Sequence, residues 1–286
     1  MSSSSPPTPS GRLAADKLHL RVETIGRRAY RIASLRSGCG ATYSTNYYHE
    51  TWHVLCNPPG AATFARLLWG LSFQKQPGTL VCIHGQHLRP TPFDADPSDP
   101  IVLVPTALTP VIADDLRALR ERLRRPSREG TRINWPTFGL DLALAERAEA
   151  YETTWRARRW EWQRDGDRLD VRRAGGCVVM AGPACALREA ALGVHRMATR
   201  GTVYSGQNAI ELGARGKRGP HSSPGEVQMF DRYHPMLSEA AEARRRVLAD
   251  GQARASHDEL LWDIGLCREG VRAERSAAQL ARSKNG

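Results

Sequence analysis

Apolar and polar positions change rhythm several times along the chain, and each change predicts an element. In LHLRVETIGRRAYRI, Leu18, Leu20 and Val22 alternate with polar residues, Gly26 interrupts, and Tyr30 and Ile32 resume, the pattern of a β-hairpin. Residues 41–56 are crowded with Thr, Tyr, Trp and Val, side chains that fit a pleated surface, and Asn57-Pro58-Pro59-Gly60 ends the run, so a strand is expected there. Phe64, Leu67, Leu68 and Leu71 recur at helical spacing and predict a helix over 61–73. Two short apolar runs, 79–84 and 101–104, read as buried strands flanking a Pro- and Asp-rich loop at 90–100. A helix is expected next, with Thr109 as N-cap, Pro110 at its first position, Asp114 and Asp115 near its positive end and arginines through Arg125 at the other.

The second half repeats this mixture. A helix is expected over 140–150, followed by a hairpin with Trp160 and Trp162 on one side of an Asp165-Gly166 turn and Leu169 and Val171 on the other. Residues 177–180 read as a buried strand, and Gly182-Pro183 opens a helix to about residue 199. The segment GARGKRGPHSSPG, 213–225, reads as a flexible basic linker or loop. Helices over 235–250 and 256–283 close the chain, the second opened by Ser256 and Glu259 at capping-box spacing. The expected class is α+β, with mixed or antiparallel sheets, packed helices and a helical C-terminal region. The expected divisions are a disordered Ser/Pro tail at 1–11 and an N-terminal α+β domain at 12–135. A second α+β segment at 136–212, separate or part of the same domain, precedes the linker at 213–225 and a helical segment at 226–286.

Composition narrows the function classes. A hydrophobic fraction of 41% over 286 residues suffices for a real core. No basic start leads into an apolar run, and no stretch approaches the roughly 18 apolar residues of a membrane span, so a cytoplasmic protein without a membrane partner is expected. The six cysteines form no C-x-x-C pair, which excludes a zinc ribbon and a dense disulfide framework. The net charge of +11 points to a polyanionic partner. Yet 37 of the 41 basic residues are arginine, a bias that a GC-rich coding sequence would also produce, so charge alone decides nothing.

Position adds to charge. Residues 117–132 hold seven arginines against Glu121 and Glu129, and the segment around Trp155 mixes arginine with tryptophan. Arginine pairs with phosphates bidentately, and tryptophan offers a stacking platform for an unpaired base. The leading expectation is therefore a protein that binds DNA or RNA, alone or with protein partners in a larger complex, and needs no cofactor. Its candidate contacts are Arg117, Arg120, Arg124, Arg125 and Arg128 on the helix, Trp155, Arg156, Arg158 and Arg159 beyond it, and Arg215, Lys217 and Arg218 in the basic loop. The bland alternative is that the helix arginines are ordinary partners of the helix dipole and the tryptophans a core face.

Two other chemistries are weighed. His49-Glu50-Thr51-Trp52-His53 matches H-E-x-x-H, in which a helix sets two imidazoles one turn apart on zinc and the glutamate acts as general base. A zinc-dependent hydrolase would use His49 and His53 as ligands, Glu50 as base, and His84 or His87 as third ligand. Against it stands the strand-like composition of 41–56, since in a strand those histidines lie about 13 Å apart. Residues 47–54 are accordingly expected to be extended. Leu80 to Gly85 resembles the strand-then-His-Gly element of α/β-hydrolases, but the residue two after Gly182, where a nucleophile should stand, is Ala184. A structural or protein-interaction subunit without catalysis is the third expectation.

Overall fold

The computed structural model describes residues 16–124, 130–146, 169–200, 207–212, 225–251, 254 and 256–284. Within these the chain is α+β, with mixed sheets, as the sequence predicts. The elements are β1 (Asp16–Ile25), β2 (Arg28–Leu35), β3 (Tyr43–Tyr48), β4 (Thr51–Cys56), α1 (Pro58–Ser72), β5 (Thr79–Ile83) and β6 (Ile101–Pro105). There follow α2 (Ala113–Arg124), β7 (Thr131–Trp135), β8 (Asp170–Ala174), β9 (Cys177–Gly182), α3 (Ala184–Arg200), β10 (Gln207–Glu211), β11 (Gly225–Phe230), α4 (Tyr233–Ala249) and α5 (His257–Lys284).

A seven-stranded sheet runs in the order β7-β1-β2-β5-β6-β9-β8, and a four-stranded sheet in the order β10-β11-β4-β3. Both draw strands from both halves of the chain: β8 and β9 complete the larger sheet, and β10 and β11 the smaller. The central strands are buried on both faces and so read as unbroken apolar runs, TLVCI, IVLVP and CVVMAG. Their side chains alternate between two cores. Val81, Ile83, Ile101, Leu103, Val178 and Met180 face the α1/α3 side, whereas Leu80, Cys82, Val102, Val104 and Val179 meet Leu116 and Leu119 of α2.

Helices α1 and α3 pack together between the two sheets. The position explains why α1 is apolar nearly all round, with Phe64, Leu67, Leu68 and Leu71 fully buried. Gly70 is required there, because a Cβ would lie 2.2 Å from Trp135 Nε1. On the far side of the smaller sheet, Leu55 and Phe230 meet Tyr233, Met236 and Leu237 of α4, and α4 packs against α5 through Ala243, Val247, Ile264 and Val271.

Three local expectations are corrected. Residues 41–56 form two antiparallel strands, not one, joined by a turn at His49-Glu50 with φ of 47° and 58°. Asn57 not only ends β4 but caps α1, its Oδ1 accepting from Gly60 N at 2.9 Å, with Pro58 and Pro59 in the first turn where no donor is needed. Thr109 does not cap α2, which starts at Ala113; its hydroxyl is buried and donates to Thr79 O at 2.7 Å. Val171 lies on β8, which pairs with β9 through a turn at Gly175-Gly176, both at positive φ; the expected Trp160/Trp162 strand lies outside the described residues. The α5 capping box holds on its Ser256 side, with Glu259 N donating to Ser256 Oγ at 3.1 Å. Val22 of the alternating stretch is 59% exposed. No helix among the described residues is long and apolar enough to cross a membrane.

Candidate anion-binding cleft

The face of the larger sheet that α2 covers at its Ile25 and Tyr30 end is open at the other. There β1 presents His19 and Arg21, alternating with the inward Leu18. The register places His19 opposite Ser34 of β2, and Ser34 beside Cys82 of β5, so that His84, two residues on and just past β5, comes to the same face. These side chains, with the turn Gly85–His87 and Gly130, line a hollow of about 170 Å³. A second hollow of about 290 Å³ shares Leu35 and Ser37 with it and turns toward α1; Lys17, Arg36, Cys39 and Arg66 line it. Together they form one open cleft. Among the described residues no carboxylate lines either hollow.

The walls are held by backbone geometry. Gly85, at φ +63°, turns the chain sharply after β5, and Arg89 N then donates to Tyr43 O at 2.7 Å, so His87 returns beside the segment leading into β3. That segment is pinned by Asn57, whose Oδ1 accepts from Thr42 N at 3.1 Å and whose Nδ2 donates to Gly40 O at 2.9 Å. Cys39 is thereby set with its Sγ 3.6 Å from His87 Nδ1. The same nitrogen lies 3.1 Å from Ala41 O. A carbonyl only accepts, so Nδ1 carries a proton.

Electrostatics follow from these neighbours. Burial, with Arg21 and His87 adding repulsion, pulls the His84 pKa down to about 4, and its ring is neutral at pH 7. Burial also works against the charged form of His87, but the Cys39 and Ala41 hydrogen bonds outweigh it and raise its pKa. The Cys39 pKa is lowered: burial opposes ionisation and the His87 hydrogen bond overcomes it. Most telling are the missing partners. Among the described residues, Arg21 Nη1, Arg36 Nε and His87 Nε2 are buried with no hydrogen-bond partner. A buried donor left unpaired costs about 1–3 kcal/mol, so native structures keep few without a reason.

The residues expected from sequence fall elsewhere. Arg117 and Arg124 are exposed on α2 and pair with Asp114 at 2.6 Å and Glu121 at 3.2 Å. Arg120 turns inward against Gly176, and Arg122 pairs with Glu23 at 2.9 Å. Arg125, Arg128, Trp155, Arg156, Arg158, Arg159, Arg215, Lys217 and Arg218 lie outside the described residues. His49 stands at the tip of the β3–β4 turn and His53 on β4, where Asn46 Oδ1 lies 3.1 Å from Nδ1 and Glu226 Oε2 lies 3.4 Å from Nε2. The two imidazoles are therefore not one helical turn apart, and no group of three or more His, Cys, Asp or Glu among the described residues could hold a metal ion. His84 and His87 belong to the cleft.

Sequence reasoning missed Arg21, Arg36 and Cys39. A signal existed for two of them: Arg21 occupies a polar position on an alternating strand, and Cys39 stands between Gly38 and Gly40 in a loop. No family model, curated protein or solved structure matches the chain.

Proposed function

We propose that the protein binds DNA or RNA and that the cleft receives a backbone phosphate. The observation that carries this reading is the pair of buried guanidinium donors, Arg21 Nη1 and Arg36 Nε, unpaired in adjoining hollows without a carboxylate. Arginine donors match phosphate oxygens in geometry and charge, and a charge-assisted hydrogen bond there would offset the desolvation that the empty donors suffer. His87 Nε2, a donor when the ring is charged, supplies a third contact. Lys17 and Arg66 extend the positive wall toward α1, along which the next phosphates of a strand would run. The net charge of +11 supports association with any polyanion and gives the long-range attraction.

The test is a fluorescence titration of the full chain with a labelled oligonucleotide, single- and double-stranded in parallel, between low and moderate salt. Binding should weaken with salt, log K falling about 0.7–0.9 per phosphate contacted. Inorganic phosphate at millimolar concentration should compete only weakly, because it lacks the neighbouring phosphates. Absence of binding at low salt would overturn the reading. Complete displacement by free phosphate would also overturn it, and would assign the cleft to a small phosphorylated compound instead.

A further inference from the structure

We propose that Cys39 and His87 form a thiolate–imidazolium pair, making Cys39 a nucleophilic thiol that small soft electrophiles, hydroperoxides foremost, modify. This inference stands apart from nucleic-acid binding. It begins with the proton on His87 Nδ1, which the Ala41 carbonyl at 3.1 Å fixes in place. Cys39 Sγ, at 3.6 Å from that same nitrogen, can only receive a share of the N–H, and sulfur accepts best as the thiolate. His87 is 7% exposed and its Nε2 is buried and unpartnered at the wall of the first hollow. His87 thus lines the hollow while its second ring nitrogen stays buried beside it.

The surroundings favour the charged thiol. Lys17 from β1, Arg36 beyond β2 and Arg66 from α1 line the hollow that Cys39 enters, and His84 and Arg21 stand beyond His87; no carboxylate lines either hollow. Access is open as well: Cys39 is exposed, and nothing lies within 4 Å of where a side chain on Gly38 would begin. Cys56, Cys82 and Cys177 are buried, with their pKa values pushed up by burial. Cys185 is exposed and serves as an internal control.

In the reaction with a hydroperoxide the thiolate sulfur attacks the terminal oxygen. The S–O bond forms as the O–O bond breaks, sulfur is oxidised by two electrons to the sulfenic acid, and the departing alkoxide takes a proton from the His87 imidazolium to leave as the alcohol. The guanidinium-rich wall stabilises the negative charge that develops on the leaving oxygen.

The experiment uses the full chain without nucleic acid. Iodoacetamide labelling is followed by mass spectrometry of the Cys39 and Cys185 peptides from pH 5 to 9. Cys39 should react about tenfold faster than Cys185 at pH 7 and reach half its maximal rate at a lower pH, since the thiolate is the nucleophile. His87→Asn should remove that advantage and leave the Cys185 rate unchanged. If the variant misfolds, labelling of Cys56 and Cys82 will report it, and the wild-type pH profile alone then decides. Equal rates and equal profiles for Cys39 and Cys185 in the wild type would overturn the pair. In a second arm, hydrogen peroxide with dimedone should label Cys39 and spare Cys185; labelling of both alike, or of neither, would overturn the assignment to hydroperoxides.

Discussion

Two regions of the molecule concentrate arginine, and they differ in how many of its donors are exposed and paired. On α2, Arg117, Arg122 and Arg124 are exposed and each meets a carboxylate, from Asp114, Glu23 and Glu121. In the cleft, among the described residues, Arg21 and Arg36 hold buried donors without a hydrogen-bond partner, and no acid lines the walls. The helix is the more basic stretch of sequence, yet its three exposed arginines are solvated and paired, and exposed pairs of this kind are worth about 0–1 kcal/mol; its inward Arg120 shares the condition of the cleft, with a buried Nε that has no hydrogen-bond partner among the described residues. Charge along a sequence thus measures attraction at a distance, and it is on the unpaired buried donors that the proposed phosphate contact rests.

The comparison can be pressed first through pH, because His84 and His87 lie in the cleft. His84 has its pKa depressed to about 4 in the folded chain, below the ordinary histidine value. Its contribution to stability is therefore complete above about pH 6.5 and lost as pH falls toward 4, a loss of about 3 kcal/mol. His87 acts in the opposite sense, since its raised pKa stabilises the fold below about pH 6.5 and fades as pH rises through the folded value. Denaturant titrations at a series of pH values should show the acid loss, and His84→Gln should reduce it. An unchanged acid slope in that variant would assign the loss to other groups.

Next in size is the support of the cleft wall. Asn57→Ala removes the acceptor for Thr42 N and Gly60 N and the donor to Gly40 O, and should cost about 2 kcal/mol in chemical denaturation. It should also loosen the Cys39 segment and lower its alkylation advantage, which a purely local helix-cap effect would not do. The smallest effect separates the two arginine regions directly. Arg36→Met deletes a buried unpaired donor while keeping an apolar stem, and should leave the ligand-free protein unchanged or raise its stability by about 1 kcal/mol. Arg124→Ala, on the exposed helix, should stay within about 0.5 kcal/mol of wild type. A loss of several kcal/mol for Arg36→Met would mean that the guanidinium is structurally satisfied.

Much of the fold was legible because burial writes itself into composition. The runs that became β5, β6 and β9 are apolar on consecutive residues since both faces are covered, and the α1 face follows from Phe64, Leu67, Leu68 and Leu71. The His49-Glu50 turn was hidden because two residues at positive φ usually announce themselves as Asn-Gly, and here the flanking pairing of Tyr48 with Thr51 imposes the turn. The start of α2 was misjudged because Thr109 spends its hydroxyl on Thr79 O, a contact between distant segments. The cleft was illegible for the same reason. His19, Arg21, Ser34 and His84 come from three strands and meet only through the register of β1, β2 and β5, which no local pattern encodes.

The central claim is tested most directly by one paired titration against the same labelled oligonucleotide, with Arg21→Gln/Arg36→Gln beside Arg117→Gln/Arg124→Gln. Both variants lose two positive charges, so any difference reports position and not net charge. The cleft variant is expected to lose at least about tenfold in affinity and to show a salt slope shallower by about one phosphate, while the helix variant stays within about threefold of wild type. Equal losses in the two variants, or a larger loss for the helix, would contradict the assignment of the cleft as the phosphate site.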